Sequence, residues 1–268
     1  LTIRTDSRYG GVMRATTLTL LGLFVINGYA EPPDGYKLAW SDEFDGTQLD
    51  TTKWMHWLPG KRRDATNVPE AVTVADGNLT ITTYTEGGKH FTGMISTKGL
   101  YESAYGYWEA RIDFDDSPGM WSAFWSQTPT IGNPIDDPAK AGMELDFVEH
   151  RSHDHEGKGI AMTVNHTLHW NGYGPNHKGS GKATPNMDLG NGFHIYACEW
   201  TDKEYRFYVD GKLTWTVTEP ISQRPQFIIL SSEAQSSAWS MKIPKDGYGP
   251  RATSKTRMVV DYVRHYTK

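Results

Sequence analysis

Gly142-Met143-Glu144-Leu145-Asp146-Phe147-Val148-Glu149-His150 puts three carboxylates into six residues of an otherwise apolar run. Leu145, Phe147 and Val148 argue for a strand packed in a core. Side chains of a strand alternate between faces, so Glu144 and Asp146 share one. Glu149 follows Glu144 by five positions and falls on the opposite face of a regular strand. One extra residue between Asp146 and Glu149, a β-bulge, reverses that parity and brings all three acids to one surface. Like charges raise one another's pKa, so the grouping is costly unless chemistry uses it. Two carboxyls ~5–5.5 Å apart are what retaining glycoside hydrolysis needs, one as nucleophile and one as acid/base.

On both sides of this stretch, short apolar or alternating runs recur between Gly, Asp, Asn and Pro, without a long helical period. That pattern predicts an all-β sandwich or barrel. Residues 72–74 and 79–84 read as a hairpin across Asp76-Gly77-Asn78. Residues 93–100, 105–114 and 120–126 read as the strands before the acids, and 160–170 as the strand after them. Residues 194–200, 204–209 and 213–218 form a meander, and 226–232 and 258–266 close the sheets. Residues 171–188 read as a long Gly- and Asn-rich loop on the binding face, where long loops often carry function. No repeat or linker interrupts the chain, so residues 31–268 are expected to form a single catalytic domain, with a core between two packed sheets.

The chain has 268 residues, a formal net charge of -5 and a pI of about 6.1, a balance that points away from nucleic acid. Its 10 Trp and 14 Tyr offer faces on which sugar rings stack, although many serve a core as well. Residues 13–30 resemble a secretory signal peptide: basic Met13-Arg14, an apolar run, then Gly28-Tyr29-Ala30. Residues 1–12 read as upstream sequence. The expected fate is secreted or periplasmic, without a membrane anchor, and as a monomer. The single Cys198 forbids an intrachain disulfide and reads as a buried thiol. His150, His153 and His155 lack zinc spacing and read as a solvated turn. Lys61-Arg62-Arg63 reads either as a solvated charge run or as a contact for a sulfate or other acidic group.

Glu144-Leu145-Asp146-Phe147-Val148-Glu149 resembles the signature of glycoside hydrolase family 16 in its bulged form. Supporting motifs follow in the family's order: Trp40-Ser41-Asp42-Glu43-Phe44-Asp45-Gly46, Tyr105-Gly106-Tyr107-Trp108-Glu109-Ala110-Arg111, Gly119-Met120-Trp121-Ser122-Ala123-Phe124-Trp125, Phe207-Tyr208-Val209-Asp210-Gly211 and Asp261-Tyr262-Val263. The resemblance implies a two-sheet, concanavalin-like jelly roll with a concave cleft, and retaining hydrolysis of internal β-glycosidic bonds. It implies Glu144 as nucleophile, Glu149 as acid/base and Asp146 as the acid between them, with no cofactor for catalysis. It also implies a structural calcium held by Glu43, the Gly77 carbonyl and Asp261, joining the first and last strands.

Trp121 and Trp125 lie four apart and share a strand face, which suits a sugar platform beside the acids. Trp108, Arg111, His169 and Trp170 are the further binding candidates, with Asn165 and His166 behind them. A β-1,3-glucan of laminarin type is the leading substrate expectation, and a β-galactan of agarase or porphyranase type the alternative. A non-catalytic lectin is the distant third, because a binding module has no need of an intact acid triad.

Overall fold

The computed structural model describes residues 32–189, 192–237 and 239–268. The proposed signal segment lies outside them. Among the described residues no helix is long and apolar enough to cross a membrane. Two large antiparallel sheets stack face to face as a jelly-roll sandwich. One sheet runs in the order Lys212–Val217, Tyr205–Val209, His194–Trp200, Gly106–Asp113, Arg257–Thr267, Asn78–Thr82 and Val72–Ala75, with Lys37–Asp42 also paired to Arg257–Thr267. The other runs in the order Lys178–Thr184, Val164–Trp170, Glu144–His150, Met120–Gln127, Gln226–Ala234, Met94–Ser96 and Met55–His56. Between them lies one core of alternate side chains from both sheets, including Trp54, Leu79, Trp108, Phe124, Phe147, Phe207, Ile228 and Val260, all at most 1% exposed.

The second sheet presents its outer face to the cleft. On Met120–Gln127, Phe124 points to the core while Trp121, Ala123, Trp125 and Gln127 line the cleft, as the period of two requires. A small third sheet of Gly60–Arg62, Ala65–Asn67, Lys89–Thr92 and Tyr84–Glu86 borders the cleft. It carries Arg62, and no apolar alternation announced it.

Two expected elements differ. The strand expected over 160–170 forms only from Val164. The segment expected as loop over 171–188 contains a strand, Lys178–Thr184, nearly all exposed. Its sequence, Lys-Gly-Ser-Gly-Lys-Ala-Thr, has no apolar face to reveal it. It is a strand because the backbone edge of Val164–Trp170 pairs with it over seven positions.

Candidate active site

The bulge sits where the acid spacing demands it. Asp146 pairs with Thr167 and Glu149 with Asn165, so three steps on one strand meet two on its neighbour. On the other side, Val148 opposes Phe124 while Asp146 opposes Trp125. Phe147 is the residue in excess. Phe147 and Val148 both turn into the core, each 0% exposed, and Glu149 comes round to the cleft beside Glu144 and Asp146. The bulge frees the Phe147 carbonyl from the ladder, and His166 takes it up, Nδ1 to O at 2.7 Å. A carbonyl only accepts, so Nδ1 carries the proton. His166 is wholly buried and therefore belongs to the interior, holding the bulge rather than a ligand.

The three acids line a cleft of about 610 Å³. Glu149 is 4% exposed; it accepts from Trp121 Nε1 at 2.9 Å on one oxygen and from Thr167 Oγ1 at 2.6 Å on the other. Burial raises its pKa and these two donors oppose the rise. Glu144 Oε2 accepts from Gln127 Nε2 at 2.9 Å and from the Tyr173 hydroxyl. Burial pushes Glu144 up to about 7, against those donors and with the Glu149 charge assisting. Asp146 is 5% exposed, and its Oδ2 has no hydrogen-bond partner among the described residues. Burial and then the charges of Glu149 and Glu144 hold it well above the usual carboxylate range, so Asp146 keeps a proton where free aspartates have lost theirs.

His169 completes the cluster. Its Nε2 lies 3.5 Å from Asp146 Oδ2 and 3.8 Å from Glu144 Oε1, and its Nδ1 is 2.9 Å from His177 Nε2. Burial, reinforced by His177, lowers it to about 4, so the ring is neutral at ordinary pH.

The raised Asp146 pKa carries a stability consequence. A group whose folded pKa exceeds its unfolded value favours folding while protonated. That contribution is lost as pH climbs from the unfolded value of 3.8 through the folded one. Asp146→Asn removes the titration and keeps the shape. The Tm of the variant relative to wild type is therefore expected to rise between pH 4 and pH 8, as thermal scans across that range would show. A difference independent of pH contradicts the protonated Asp146.

Trp121 and Trp125 are in the cleft as expected. Trp121 carries the Arg63 guanidinium 5.1 Å above its ring and meets Trp239 edge-on at 6.0 Å. Trp125 is only 7% exposed and donates Nε1 to Ser231 Oγ at 3.0 Å, so it forms floor more than platform. Trp57, not singled out in the sequence, lines the same cleft.

Three expected binding residues lie elsewhere. Trp108 and Arg111 stand on Gly106–Asp113, which belongs to the other sheet. Trp108 is 1% exposed in the core and stacked on His265 at 3.6 Å. Arg111 faces away from the core, bonded to Asp261 at 2.7 Å and over the Phe193 ring at 4.5 Å. Trp170 adjoins His169, so alternation sends it to the opposite side, against the core. Asn165 pairs across from Glu149 and is 7% exposed, with Nδ2 unpartnered among the described residues. The oxygen set expected for calcium is also otherwise engaged. Glu43 accepts from Arg264 Nε at 3.0 Å and Nη2 at 2.7 Å, and Asp261 is held by Arg111. Gly77 sits in its turn at φ +72°. With both carboxylates paired to guanidinium groups, these residues as folded do not fit a calcium ion, which needs uncompensated oxygens.

The sequence model of the GH16 domain of β-porphyranases A–D matches residues 37–268. The chain belongs to glycoside hydrolase family 16. It is 27% identical to β-porphyranase E of Zobellia galactanivorans, covering 88% of this chain and 90% of that one. It is 26% identical to glucan endo-1,3-β-glucosidase A1 of Niallia circulans, over 69% of this chain. The chain spans only 30% of that relative's length, and 47% of two endo-1,3-1,4-β-glycanases of Rhizobium meliloti. The laminarinase catalytic domain of Thermotoga maritima superposes with a TM-score of 0.67 at 25% identity, covering 87% of this chain and 98% of that one. This family 16 chain thus has relatives named for both glucan and galactan hydrolysis.

In the same cleft, Glu233 pairs across from Trp121, is 6% exposed and accepts from Arg62 Nε at 2.7 Å and Arg63 Nε at 2.9 Å. Two guanidinium groups share one carboxylate, so the local ion cluster carries one positive charge in excess. Both arginines line the same cleft as the acids. The basic run was legible in the sequence, but Glu233 as its partner was not, lying 171 residues from Arg62.

Proposed function

We propose that this chain is an endo-acting, retaining hydrolase of a sulfated β-galactan of the porphyran type. The observation that carries the substrate class is the placement of two guanidinium groups, Arg62 and Arg63, in the cleft that holds the acids. A sulfate ester is the anion that a guanidinium fork matches. The porphyranase domain that the chain matches supports the same class. The β-1,3-glucan reading is the second one, supported by its laminarinase-like fold and its glucanase relatives.

In this reading Glu144 attacks the anomeric carbon and forms a glycosyl ester as the glycosidic C–O bond breaks. Glu149 gives its proton to the departing oxygen. Water then enters on the side of Glu149, which takes a proton from it, and the ester opens with net retention. Asp146 keeps a proton beside Glu144, which limits the negative charge the cluster must hold. Trp121 and Thr167 aim Glu149. The reading includes export, on the signal-like residues 13–30.

A panel of porphyran, agarose, carrageenans, laminarin and lichenan, assayed for new reducing ends, tests the substrate. Porphyran is expected to be cut fastest. Arg62→Ala and Arg63→Ala are each expected to lower kcat/KM on porphyran by roughly 10-fold or more, the cost of a charge-assisted contact, and to change cleavage of desulfated chains far less. Product from laminarin alone overturns the galactan reading.

A further inference from the structure

We propose that Tyr173 is a positioning residue of this site: its hydroxyl donates to one oxygen of the Glu144 carboxylate and leaves the other to attack the anomeric carbon. The proposal rests on the glycosidase reading. It starts from an anomaly of exposure. Tyr173 is 60% exposed, the highest value among the exposed large hydrophobic side chains of the described residues, yet its hydroxyl reaches the largely covered Glu144.

The loop that carries it is held from two sides. Asn171, 4% exposed and at φ +66°, makes a reciprocal pair with Asp136: the Asp136 amide donates to Asn171 Oδ1 at 3.0 Å, and Asn171 Nδ2 donates to Asp136 Oδ1 at 2.8 Å. Lys178 Nζ adds a third contact to the same Asp136 oxygen at 2.7 Å. Next to this clasp the two loop backbones touch. A Cβ on Gly132, which sits at φ +82°, would stand 2.6 Å from the Gly172 amide nitrogen. Only glycine permits that approach. The clasp delivers the next residue, Tyr173, over the cleft, with its ring 6.3 Å from His177 in a stack that continues to His169 at 5.0 Å.

Both hydrogen-bonding donors of Glu144, Tyr173 and Gln127, act on Oε2. Among the described residues Oε1 has no hydrogen-bond donor, the neutral His169 ring lying 3.8 Å away, and Glu144 lines the cleft. The carboxylate is thereby made asymmetric. Oε1 forms the bond to the anomeric carbon, and Oε2 becomes the ester carbonyl under two donors. When the ester opens, charge returns to a carboxylate whose donors are already in place, so preorganised donors speed this step too. The phenol proton is not transferred. Burial and then Glu144 raise the Tyr173 pKa far beyond the working range, so it remains a donor throughout.

Two measurements on Tyr173→Phe test this. With the best polysaccharide of the panel, kcat is expected to fall on the order of 10²-fold, with KM nearly unchanged and the acidic limb of kcat/KM moved to higher pH. Without any substrate, ¹³C-carboxyl NMR titration of Glu144, assigned by its loss in Glu144→Gln, is expected to show a higher midpoint in Tyr173→Phe than in wild type. An unchanged midpoint overturns the proposal, as does an effect on KM alone, which marks Tyr173 as a sugar platform. Should Glu144→Gln prove as active as wild type, the glycosidase roles fail, and the NMR titration still reports on the tyrosine contact.

Discussion

Glu144→Ala and Glu149→Ala are each expected to stop polysaccharide cleavage, by a factor on the order of 10⁵ for the nucleophile and about 10²–10⁴ for the acid/base. The loss alone does not separate the two roles, but azide does. In Glu144→Ala the face vacated by the carboxylate admits azide, which displaces the leaving group once. With an activated aryl glycoside the product is then an α-glycosyl azide. In Glu149→Ala the ester still forms from an activated substrate, and azide attacks it without needing a base. Two inversions leave a β-glycosyl azide. NMR of the products reads the configuration directly. With Glu144 as nucleophile and Glu149 as acid/base, position 144 gives α and position 149 gives β, and the reverse outcome exchanges the roles. The former assignment is the one that the family 16 signature implies, and the donors around each acid suit it. Trp121 and Thr167 occupy both Glu149 oxygens, whereas the donors of Glu144 act on one oxygen and leave the other open to the cleft.

The second large effect is on stability and falls at a position that the sequence suggested for sugar binding. Trp108→Ala is expected to cost about 3–5 kcal/mol, which for a chain of this size lowers Tm by roughly 10 °C. The indole is 1% exposed, and its removal opens a cavity beside His265 and Tyr101. His265 would lose its stacking partner while keeping its bonds to Tyr101 and the Tyr105 carbonyl. KM for the polysaccharide, measured well below the melting range, is expected to stay within about 2-fold, because a core residue of the other sheet makes no cleft contact. A variant that keeps its Tm and loses substrate affinity would return Trp108 to the cleft.

How much was legible follows from which interactions are local. Acid spacing announced the bulge, because five steps between like-facing residues contradict a period of two unless one residue is extra. Asp76-Gly77 announced its turn, in which Asp76 takes a positive φ of 52°. Trp108 was misplaced because alternation states which side chains share a face but not which sheet the strand joins. Trp170 was misplaced for a narrower reason: parity with His169 already sent it to the core side. Arg264 and Arg111 claimed the acids expected for calcium, and nothing near Glu43 or Asp261 in sequence foretold those partners.

Residue order alone, through alternation, turn chemistry and the Glu144–Asp146–Glu149 spacing, determined an all-β chain with three acids on one surface. The tertiary structure decided what surrounds them, because Tyr173, Thr167 and Glu233 reach the cleft from strands and loops that only sheet pairing brings together. Local periodicity is a property of neighbouring residues. Donor placement, burial and the pKa values they set depend on chain closure across tens to hundreds of residues, which no window of the sequence contains.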